Sequence, residues 1–562
     1  MKNKIINKVL IFTAAIGTAL ILTACGGASS SGGGAGNGES TGSSGGNAGS
    51  GEGTGSSGDN ELHVAVNADI VSMDCHKTTN DYLVPMNVFD TLLTIEKHSD
   101  GSSSIEKSLA EDYKISDDGL TYSFTLKDGI VFSDGTPLTA DDVKFTFERI
   151  LTLPDSQQTD YAVAIEGAEE LMNGSAKELK GITVEDDTHF TITLAEPFSG
   201  FLAELATPST CIFSRSIVTA AGDDFGNVPE KTLGTGPYIV TSWDRGSGLT
   251  FEYNPRYWGE EPSVKKVTLK VMDAASMDMA FQKGDLDIID CIKLDSAIVE
   301  STYKTKYADD IVSIDRLGMS YFILNEKTEP FSDPAVRKAI QTAVNRKSIL
   351  DSIYGGDGKL EDGVFPTGCL GYSEENQGWL KYDAEEAKKL LSDAGYPDGF
   401  DMEIAMDSSF EEAEKRALQI IAQNLQDAGI NAQIKSYDHA SYLDLRKSGN
   451  LTAYLAKWIL DYNDPDNVIY TFFGSEDNTA VRSIFYPDKE IIGRVAAARA
   501  IVDQDERMKE YAALEKKLVQ DDAVWVPLYS LKHLFVKGDR VAEFIPQWAG
   551  WSDMYFSGVK LK

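Results

Sequence analysis

The residue types most often used for catalysis or metal binding are spread widely through this chain of 562 residues. Cys75, Cys211, Cys291 and Cys369 lie too far apart in sequence for the paired spacing of a zinc or dithiol site. The six histidines form no HExxH pair, and no GxxxxGK[ST] phosphate-binding loop occurs. We therefore predict no catalytic residues, no metal site and no cofactor. The four cysteines are expected to be buried or partly buried thiols, with room for one disulfide.

A fifth cysteine, Cys25, is the residue where chemistry is expected. It follows Leu22-Thr23-Ala24, which resembles a lipobox, the sequence at which a signal peptide is removed and the new N-terminal cysteine receives lipid. The upstream segment has the basic start and short apolar run of an export signal: Lys2, Lys4, Lys8 and residues 9–22. We predict a signal peptide over residues 1–24 and lipidation of Cys25. The alternatives are an ordinary signal peptide or a short N-terminal anchor.

The next segment, residues 26–60, contains 24 Gly or Ser among 35 residues, a composition that predicts a flexible linker. The body that starts near Glu61 is longer than a single hydrophobic core usually supports, so at least two lobes are expected. With 88 acidic against 52 basic residues, the chain has a formal charge of −36. Such an acidic chain is a poor candidate for binding nucleic acid or anionic lipid.

Hydrophobic periodicity in the body predicts an α/β protein. Residues 121–126 alternate as a half-buried strand does, and Asp118-Gly119 before them is a hairpin-turn signal. Thr139 and Asp142 have the spacing of a capping box at a helix start. Later, two alternating strands flank a helix, which predicts a right-handed crossover and a mainly parallel sheet; the three elements are residues 402–406, 411–428 and 430–434.

Four stretches of this body resemble hallmark regions of the bacterial family 5 extracellular solute-binding proteins, the peptide-binding receptors of ABC importers. They are SLAEDYKISDDGLTYSFTLKDGIVFSDGTPLTADDVKFTFERI at 108–150, LGTGPY at 233–238 with NPRYW at 254–258, FSDPAVRKAIQTAVNRKSIL at 331–350, and WILDYNDPDN at 458–467. They follow one another in the order and spacing of that family over nearly the whole body.

The resemblance implies a two-lobed, type II periplasmic-binding-protein (Venus-flytrap) fold with an extra subdomain inserted in lobe I. The first lobe is expected over 61–315, with the insertion at about 105–230, and the second lobe over 316–523. Residues 524–562 are expected to return to lobe I. The crossing strands are expected near 314–324 and 524–536, both apolar and rich in β-branched or aromatic residues.

The resemblance also implies a binding site. Asp461 matches the family position that pairs with the ligand's α-ammonium group, and Trp458 and Tyr462 are expected to line the cleft wall. Without the resemblance, Asp461 would be interpreted as a turn carboxylate, because its surroundings are rich in turn-forming residues. The rim of lobe I is expected at 74–82, with Thr78 and Thr79 as candidates. Two departures from the family pattern are Cys75 in place of proline and Lys457 in place of glycine.

The function expected from these observations is a lipid-anchored, monomeric receptor that captures an oligopeptide or dipeptide and delivers it to an ABC permease and its ATPase. Ligand contacts to both lobes would favour the closed state. Alternatives within the same fold are a receptor for a nickel chelate, haem or an oligosaccharide, or a peptide sensor. The expected location is the outer face of the cell membrane, and the long Gly/Ser linker suggests a Gram-positive cell by analogy.

Overall fold

A computed structural model describes residues 60–78, 82–97, 103–546 and 554–562. The predicted signal peptide, Cys25 and most of the linker lie outside the described residues, and so does Thr79. Among the described helices, none combines the length and the apolar composition needed to cross a bilayer.

The described residues form twenty β-strands and seventeen α-helices, which are mixed along the chain. The strands are β1 Glu61–Val66, β2 Leu93–Lys97, β3 Ser103–Lys107, β4 Ala110–Ile115, β5 Thr121–Leu126, β6 Ile182–Val184, β7 His189–Thr193, β8 Tyr238–Asp244, β9 Gly248–Tyr253, β10 Lys266–Val271, β11 Ile288–Asp290, β12 Ile311–Asp315, β13 Gly318–Leu324, β14 Gly358–Leu360, β15 Asp401–Asp407, β16 Asn431–Tyr437, β17 Ala453–Ile459, β18 Trp525–Lys537, β19 Val541–Phe544 and β20 Val559–Leu561. The helices are α1 Leu83–Val88, α2 Ala140–Thr152, α3 Ala168–Met172, α4 Phe201–Glu204, α5 Arg215–Ala221, α6 Ala274–Lys283, α7 Ser296–Ile298, α8 Lys304–Lys306, α9 Pro334–Ala343, α10 Arg346–Tyr354, α11 Ala384–Asp393, α12 Glu412–Asp427, α13 His439–Lys447, α14 Asp466–Phe473, α15 Glu476–Ala480, α16 Lys489–Ala498 and α17 Gln504–Lys516.

Two four-stranded sheets and a hairpin account for most strands in the first half of the chain. One sheet has the order β1-β10-β9-β8, and the other has the order β4-β5-β7-β6. The hairpin predicted at Asp118-Gly119 joins β4 to β5. The predicted capping box begins α2, because the Thr139 amide donates to Asp142 Oδ2 at 2.9 Å while the Asp142 amide bonds back to Thr139.

The largest sheet has eight strands: six follow the order β11-β18-β13-β17-β15-β16, and β12 and β14 add to it by pairing with β18. The predicted strand–helix–strand unit is β15, α12 and β16, and its strands pair in parallel. The prediction of a mainly parallel sheet is wrong, because β13 pairs antiparallel with both β17 and β18. Within this sheet, parallel pairing is confined to β15 with its neighbours β16 and β17, where a helix provides the crossover.

Several hallmark residues have structural roles in this framework. Arg337 on α9 is buried and lies 3.1 Å from Glu326, and Arg346 at the start of α10 lies 2.7 Å from Asp362. A side chain at Gly234 would collide with the backbone of Val88, so the glycine permits close approach of two chain segments. These contacts give charged and glycine residues of the hallmark stretches a role in the fold.

The described residues from 60 onward belong to one compact unit. Its largest hydrophobic core contains residues on both sides of the predicted boundary near 315, including Val143, Phe190, Phe472 and Trp525. The lobe boundaries therefore stay predictions. Cys75, Cys211, Cys291 and Cys369 are buried free thiols, as expected.

Candidate functional site

The candidate site begins where β17 ends, in the loop that leads to α14. Trp458 is near the end of the strand and Asp461 follows in the loop, and both are half-buried. The Asn467 side chain connects them. Its Oδ1 accepts hydrogen bonds from Trp458 Nε1 at 2.9 Å and from the Asp461 amide at 3.2 Å, and its Nδ2 donates to Asp461 Oδ2 at 3.2 Å. One amide side chain thus fixes both the indole and the carboxylate.

The carboxylate of Asp461 faces groups from the first half of the chain. Burial raises its pKa, the Asn467 amide opposes the rise, and the carboxylate of Asp160 adds to it. In turn, Asp461 contributes to the raised pKa values of the Tyr82 and Tyr161 hydroxyls, for which burial is the largest cause. The electrostatic surroundings of Asp461 therefore include two tyrosines and one aspartate from the first half of the chain, and an ammonium group placed there would relieve the electrostatic cost of its burial.

Tyr82 is held in this position by a buried network at the rim. Gln158 Nε2 donates to Tyr82 Oη at 2.9 Å and to the carbonyl of Thr78, and Ser209 Oγ donates to Tyr82 Oη at 3.1 Å. Thr78 is 6 % exposed, so its backbone forms part of the wall that supports Tyr82. The structure thus brings Thr78 close to the residues that face Asp461.

Tyr462 lies among a different set of groups from Asp461. It is 6 % exposed, and its raised pKa comes from burial and then from the carboxylates of Glu204, Asp466 and Asp464. The cleft-wall role predicted for Tyr462 stays a prediction; its charged neighbours are Glu204 at the end of α4 and two aspartates that follow Tyr462 in sequence, Asp464 and Asp466.

The two later aspartates of the loop are neutralised by arginines. Arg507 on α17 donates to both oxygens of Asp464 at 3.0 and 2.6 Å, and Arg499 donates to Asp466 Oδ2 at 3.0 Å. The Arg499 guanidinium also lies 4.4 Å from the centre of the Phe198 ring, which precedes α4. Arg499 therefore links this part of the loop to the segment that precedes α4.

Lys457, which stands where the family pattern has glycine, lies on the side of β17 opposite to Trp458. Its ammonium lies 2.8 Å from Glu414 on α12, and the side chain is 56 % exposed. Because successive residues of a strand point to opposite faces, this lysine does not occupy the same face as Trp458. The departure at Cys75 places a thiol 3.9 Å from the carbonyl of Ser209, under the rim.

Sequence reasoning did not find Tyr82, Gln158, Asp160, Tyr161 or Ser209. These residues lie in irregular segments with no periodic pattern, and they come together only through the tertiary fold. A weak signal was available for Tyr82, which ends the predicted rim. Among the described residues, no group of three or more His, Cys, Asp and Glu side chains has the arrangement of a metal site.

The comparison with known proteins agrees with this architecture. The model of the bacterial extracellular solute-binding proteins, family 5 (middle region), matches residues 104–480. This chain belongs to that family. The family 5 chain is 28 % identical over 472 residues to a probable D,D-dipeptide-binding periplasmic protein of Escherichia coli, covering 83 % of this chain and 87 % of the relative.

Two further relatives are a protein named for heme binding and a protein solved with a bound peptide. The heme-binding protein A of Haemophilus influenzae is 27 % identical over 484 residues, with 83 % of this chain and 86 % of the relative covered. A periplasmic binding protein of Helicobacter pylori, solved with the peptide STSA, superposes with a TM-score of 0.69 at 27 % identity, covering 89 % of this chain and 98 % of that one. The family 5 chain therefore has a two-lobed binding-protein fold, and its relatives are binding proteins of the periplasm or cell exterior.

Proposed function

We propose that this protein captures peptides with a free α-amine between its lobes and delivers them to the permease of an ABC importer. The observation that carries the proposal is the position of Asp461, which Asn467 fixes beside Trp458 and which faces Tyr82, Tyr161 and Asp160. A buried carboxylate with a raised pKa gains most from a cationic partner, because the partner offsets the cost of desolvation.

The position of the site supports a closing mechanism. Trp458, Asp461 and Asn467 belong to the second lobe, whereas Tyr82 and Tyr161 belong to the first. A ligand bound at Asp461 would contact both sets of residues only when the lobes are together, so ligand binding would favour the closed state. Two relatives are named as binding a dipeptide or were solved with a peptide, which supports a peptide as the ligand of this chain. One relative is named as heme-binding, so haem is included among the ligands to be tested.

The decisive experiment measures thermal unfolding of the body from Asn60 onward with a panel of ligands. The panel contains di- to octapeptides, their N-acetylated forms, glutathione, haem, a nickel–histidine chelate and oligosaccharides. A ligand at one hundred times its Kd stabilises the folded state by about 2.7 kcal/mol, which gives a clear upward shift of Tm.

Free-amine peptides should stabilise the wild type, and both N-acetylation and Asp461→Asn should remove most of that shift. Asp128→Asn, a matched change at an exposed turn after β5, should leave it intact. Stabilisation by haem, the chelate or a sugar alone would reject peptide capture and retain the receptor fold.

The proposed anchor is a separate claim that concerns Cys25. Radiolabelled palmitate should enter the wild-type protein, and Cys25→Ser should abolish the label and release the protein from the membrane fraction. The relatives reported above come from Gram-negative bacteria, so they give no support to the expected Gram-positive origin. Transport, as opposed to sensing, would be tested by peptide uptake in cells that lack this protein.

A further inference from the structure

Two of the buried cysteines lie next to each other beneath the rim of the candidate site. Cys75 begins a short turn of helix at Cys75–Lys77, and Cys211 directly follows another at Pro208–Thr210. The Cys75 thiol donates to the carbonyl of Ser209 at 3.9 Å, two residues before Cys211. The two thiols are also within hydrogen-bonding reach of each other, and their residues are 0 and 1 % exposed. The tertiary fold thus brings together two cysteines that are more than a hundred residues apart in sequence.

Other contacts fix the segments on which the two thiols lie. Asp74, immediately before Cys75, is buried, and its carboxylate lies 2.6 Å from the guanidinium of Arg149. The Cys211 thiol donates to the carbonyl of Pro85 on α1 at 3.9 Å. Because each cysteine is tied to a further segment of the chain, the approach of the two thiols is a property of the packed fold.

The other two cysteines lie in different surroundings. Burial raises the pKa of Cys291 to about 12, and the charge of Asp290 adds to the rise. Burial likewise raises the pKa of Cys369. For Cys75, whose pKa is also raised by burial, the next cause is the neighbouring thiol of Cys211. The pair beneath the rim is therefore the candidate for a covalent bond, and the other two thiols serve as internal controls.

We propose that Cys75 and Cys211 form a disulfide once the chain has been exported. The structure shows both as free thiols, the reduced form of the pair. Disulfides form and persist outside the cytoplasm, where the relatives of this chain are binding proteins. The bond would join the rim to the turn that carries Ser209, whose hydroxyl donates to Tyr82 Oη at 3.1 Å. The inference does not depend on which ligand the protein binds.

The bond forms by exchange with a small organic disulfide, RS–SR. The Cys75 thiolate attacks one sulfur of RS–SR, so that a mixed disulfide forms and RS⁻ leaves; the Cys211 thiolate then attacks the Cys75 sulfur and releases the second RS⁻. The two protein thiols lose two electrons to the organic disulfide, and their two protons end on two molecules of RSH. Because both thiols are shielded in the folded chain, we expect the exchange to occur during folding.

The first test maps the cysteines of the full mature chain, purified without reductant from cells that export it. The protein is unfolded in urea with N-ethylmaleimide, digested and analysed by mass spectrometry. We expect a linked Cys75–Cys211 peptide, with Cys291 and Cys369 alkylated. In Cys75→Ser, Cys211 should be alkylated instead, whereas Cys291→Ser should keep the linked peptide. Alkylation of all four of these cysteines, or a bond between a different pair, would overturn the proposal.

A second measurement does not depend on export. The full mature chain is unfolded and reduced, and is then refolded either in a mixture of glutathione and glutathione disulfide or in reductant alone. The Tm of the oxidised form should be higher by about 5 °C, because the bond closes a long loop of the unfolded chain. This difference should vanish in Cys211→Ala and persist in Cys369→Ala. If the chain refolds in the oxidising mixture with all four thiols free, the two cysteines are not bridged in this fold and the proposal is wrong.

Discussion

Arg499 and Arg507 differ from Arg446 and Arg482 in their partners, although all four lie within about sixty residues of one another in the chain. Arg507 is 1 % exposed at its side chain and binds both oxygens of Asp464, and Arg499 binds Asp466. Arg482 instead lies over the Trp458 ring, and the charges of Arg446 and Arg482 both oppose the rise that burial causes in the pKa of Tyr454; neither arginine makes an ion pair with an Asp or Glu that the structure describes. The charges of the first pair are balanced by carboxylates of the loop, whereas the charges of the second pair are not balanced by a carboxylate that the structure describes.

The aspartates of the WILDYNDPDN loop divide in the same way. Asp464 and Asp466 are held by arginines, while the carboxylate of Asp461 accepts a hydrogen bond from a neutral amide, that of Asn467. The carboxylates of this loop therefore differ in their hydrogen-bond donors, which are charged for Asp464 and Asp466 and neutral for Asp461. Carboxylates bound by guanidinium fix the loop against α16 and α17, whereas the carboxylate of Asp461 is the one that we propose binds a cationic ligand.

Breaking the Asp464–Arg507 pair should have the largest effect on stability. Arg507→Met leaves a buried carboxylate, 3 % exposed at its side chain, without its counter-charge. We expect the free energy of unfolding to fall by about 3–5 kcal/mol, measured by urea denaturation followed by circular dichroism. The double variant Asp464→Asn/Arg507→Met should recover much of the loss, since it removes both charges. A loss below about 1 kcal/mol in the single variant would contradict a structural role for this pair.

Glu204→Gln should stabilise the protein at neutral pH. Glu204 ends α4, is 6 % exposed and has one carboxylate oxygen without a partner. Burial raises its pKa, the carboxylates of Asp466, Asp160 and Asp464 raise it further, and Arg499 opposes the rise. Because the folded-state pKa exceeds the unfolded value, the wild type loses stability as pH rises from the unfolded pKa through the folded one.

The glutamine variant lacks this loss, so its advantage should be near zero at pH 4 and about 1–2 kcal/mol at pH 7.5. Urea denaturation across that pH range would measure it. Asp466, whose pKa burial raises to about 6, titrates in the same window and is present in both proteins. Glu178→Gln, at an exposed residue paired with Lys144, should bring no gain at pH 7.5. An advantage for Glu204→Gln that did not change with pH would contradict this origin.

The sequence predicted the fold better than the site because regular elements leave periodic patterns. The α2 capping box, the β4–β5 hairpin and the β15–α12–β16 unit were all readable from local residues. The position of Asp461 came from a resemblance, and its environment did not. Tyr82, Gln158 and Tyr161 are distant in sequence from Asp461, and no local pattern marks them.

The arginine partners were hidden for a similar reason. An arginine on a helix has the same local signature whether it pairs with a carboxylate or not, and only the tertiary fold assigns Arg507 to Asp464. The antiparallel part of the large sheet was also missed, because β13 and β18 meet over about two hundred residues of intervening chain. Register and pairing at that separation depend on the whole lobe.

Asn467→Ala should separate the fold of the loop from its ligand-binding function. The change removes the acceptor for Trp458 Nε1 and for the Asp461 amide, and the donor to the Asp461 carboxylate. We expect a loss of about 1 kcal/mol in the free energy of unfolding and at least a tenfold loss of affinity for a free-amine peptide. Asn227→Ala, at an exposed position, serves as the control for both measurements. Unchanged affinity would show that Asn467 does not position the site.

Arg482→Gln should have the smallest effect on the stability of the ligand-free protein. Its comparison with Arg499→Gln tests directly whether the two pairs of arginines differ in their contribution to the fold. Burial lowers the pKa of Arg482, Tyr454 opposes that shift and Arg446 adds to it, so the charge of Arg482 is unfavourable within the folded protein. Removing that charge relieves repulsion while it costs packing against Trp458 and Phe472, and we expect a net change within about 0.5 kcal/mol. Arg499→Gln should cost more, about 1.5–3 kcal/mol, because it deprives the buried Asp466 of its charged donor. Urea denaturation of both variants without ligand makes the test. If Arg482→Gln were as destabilising as Arg499→Gln, the prediction would be wrong. Arg482 would then stabilise the folded protein as Arg499 does.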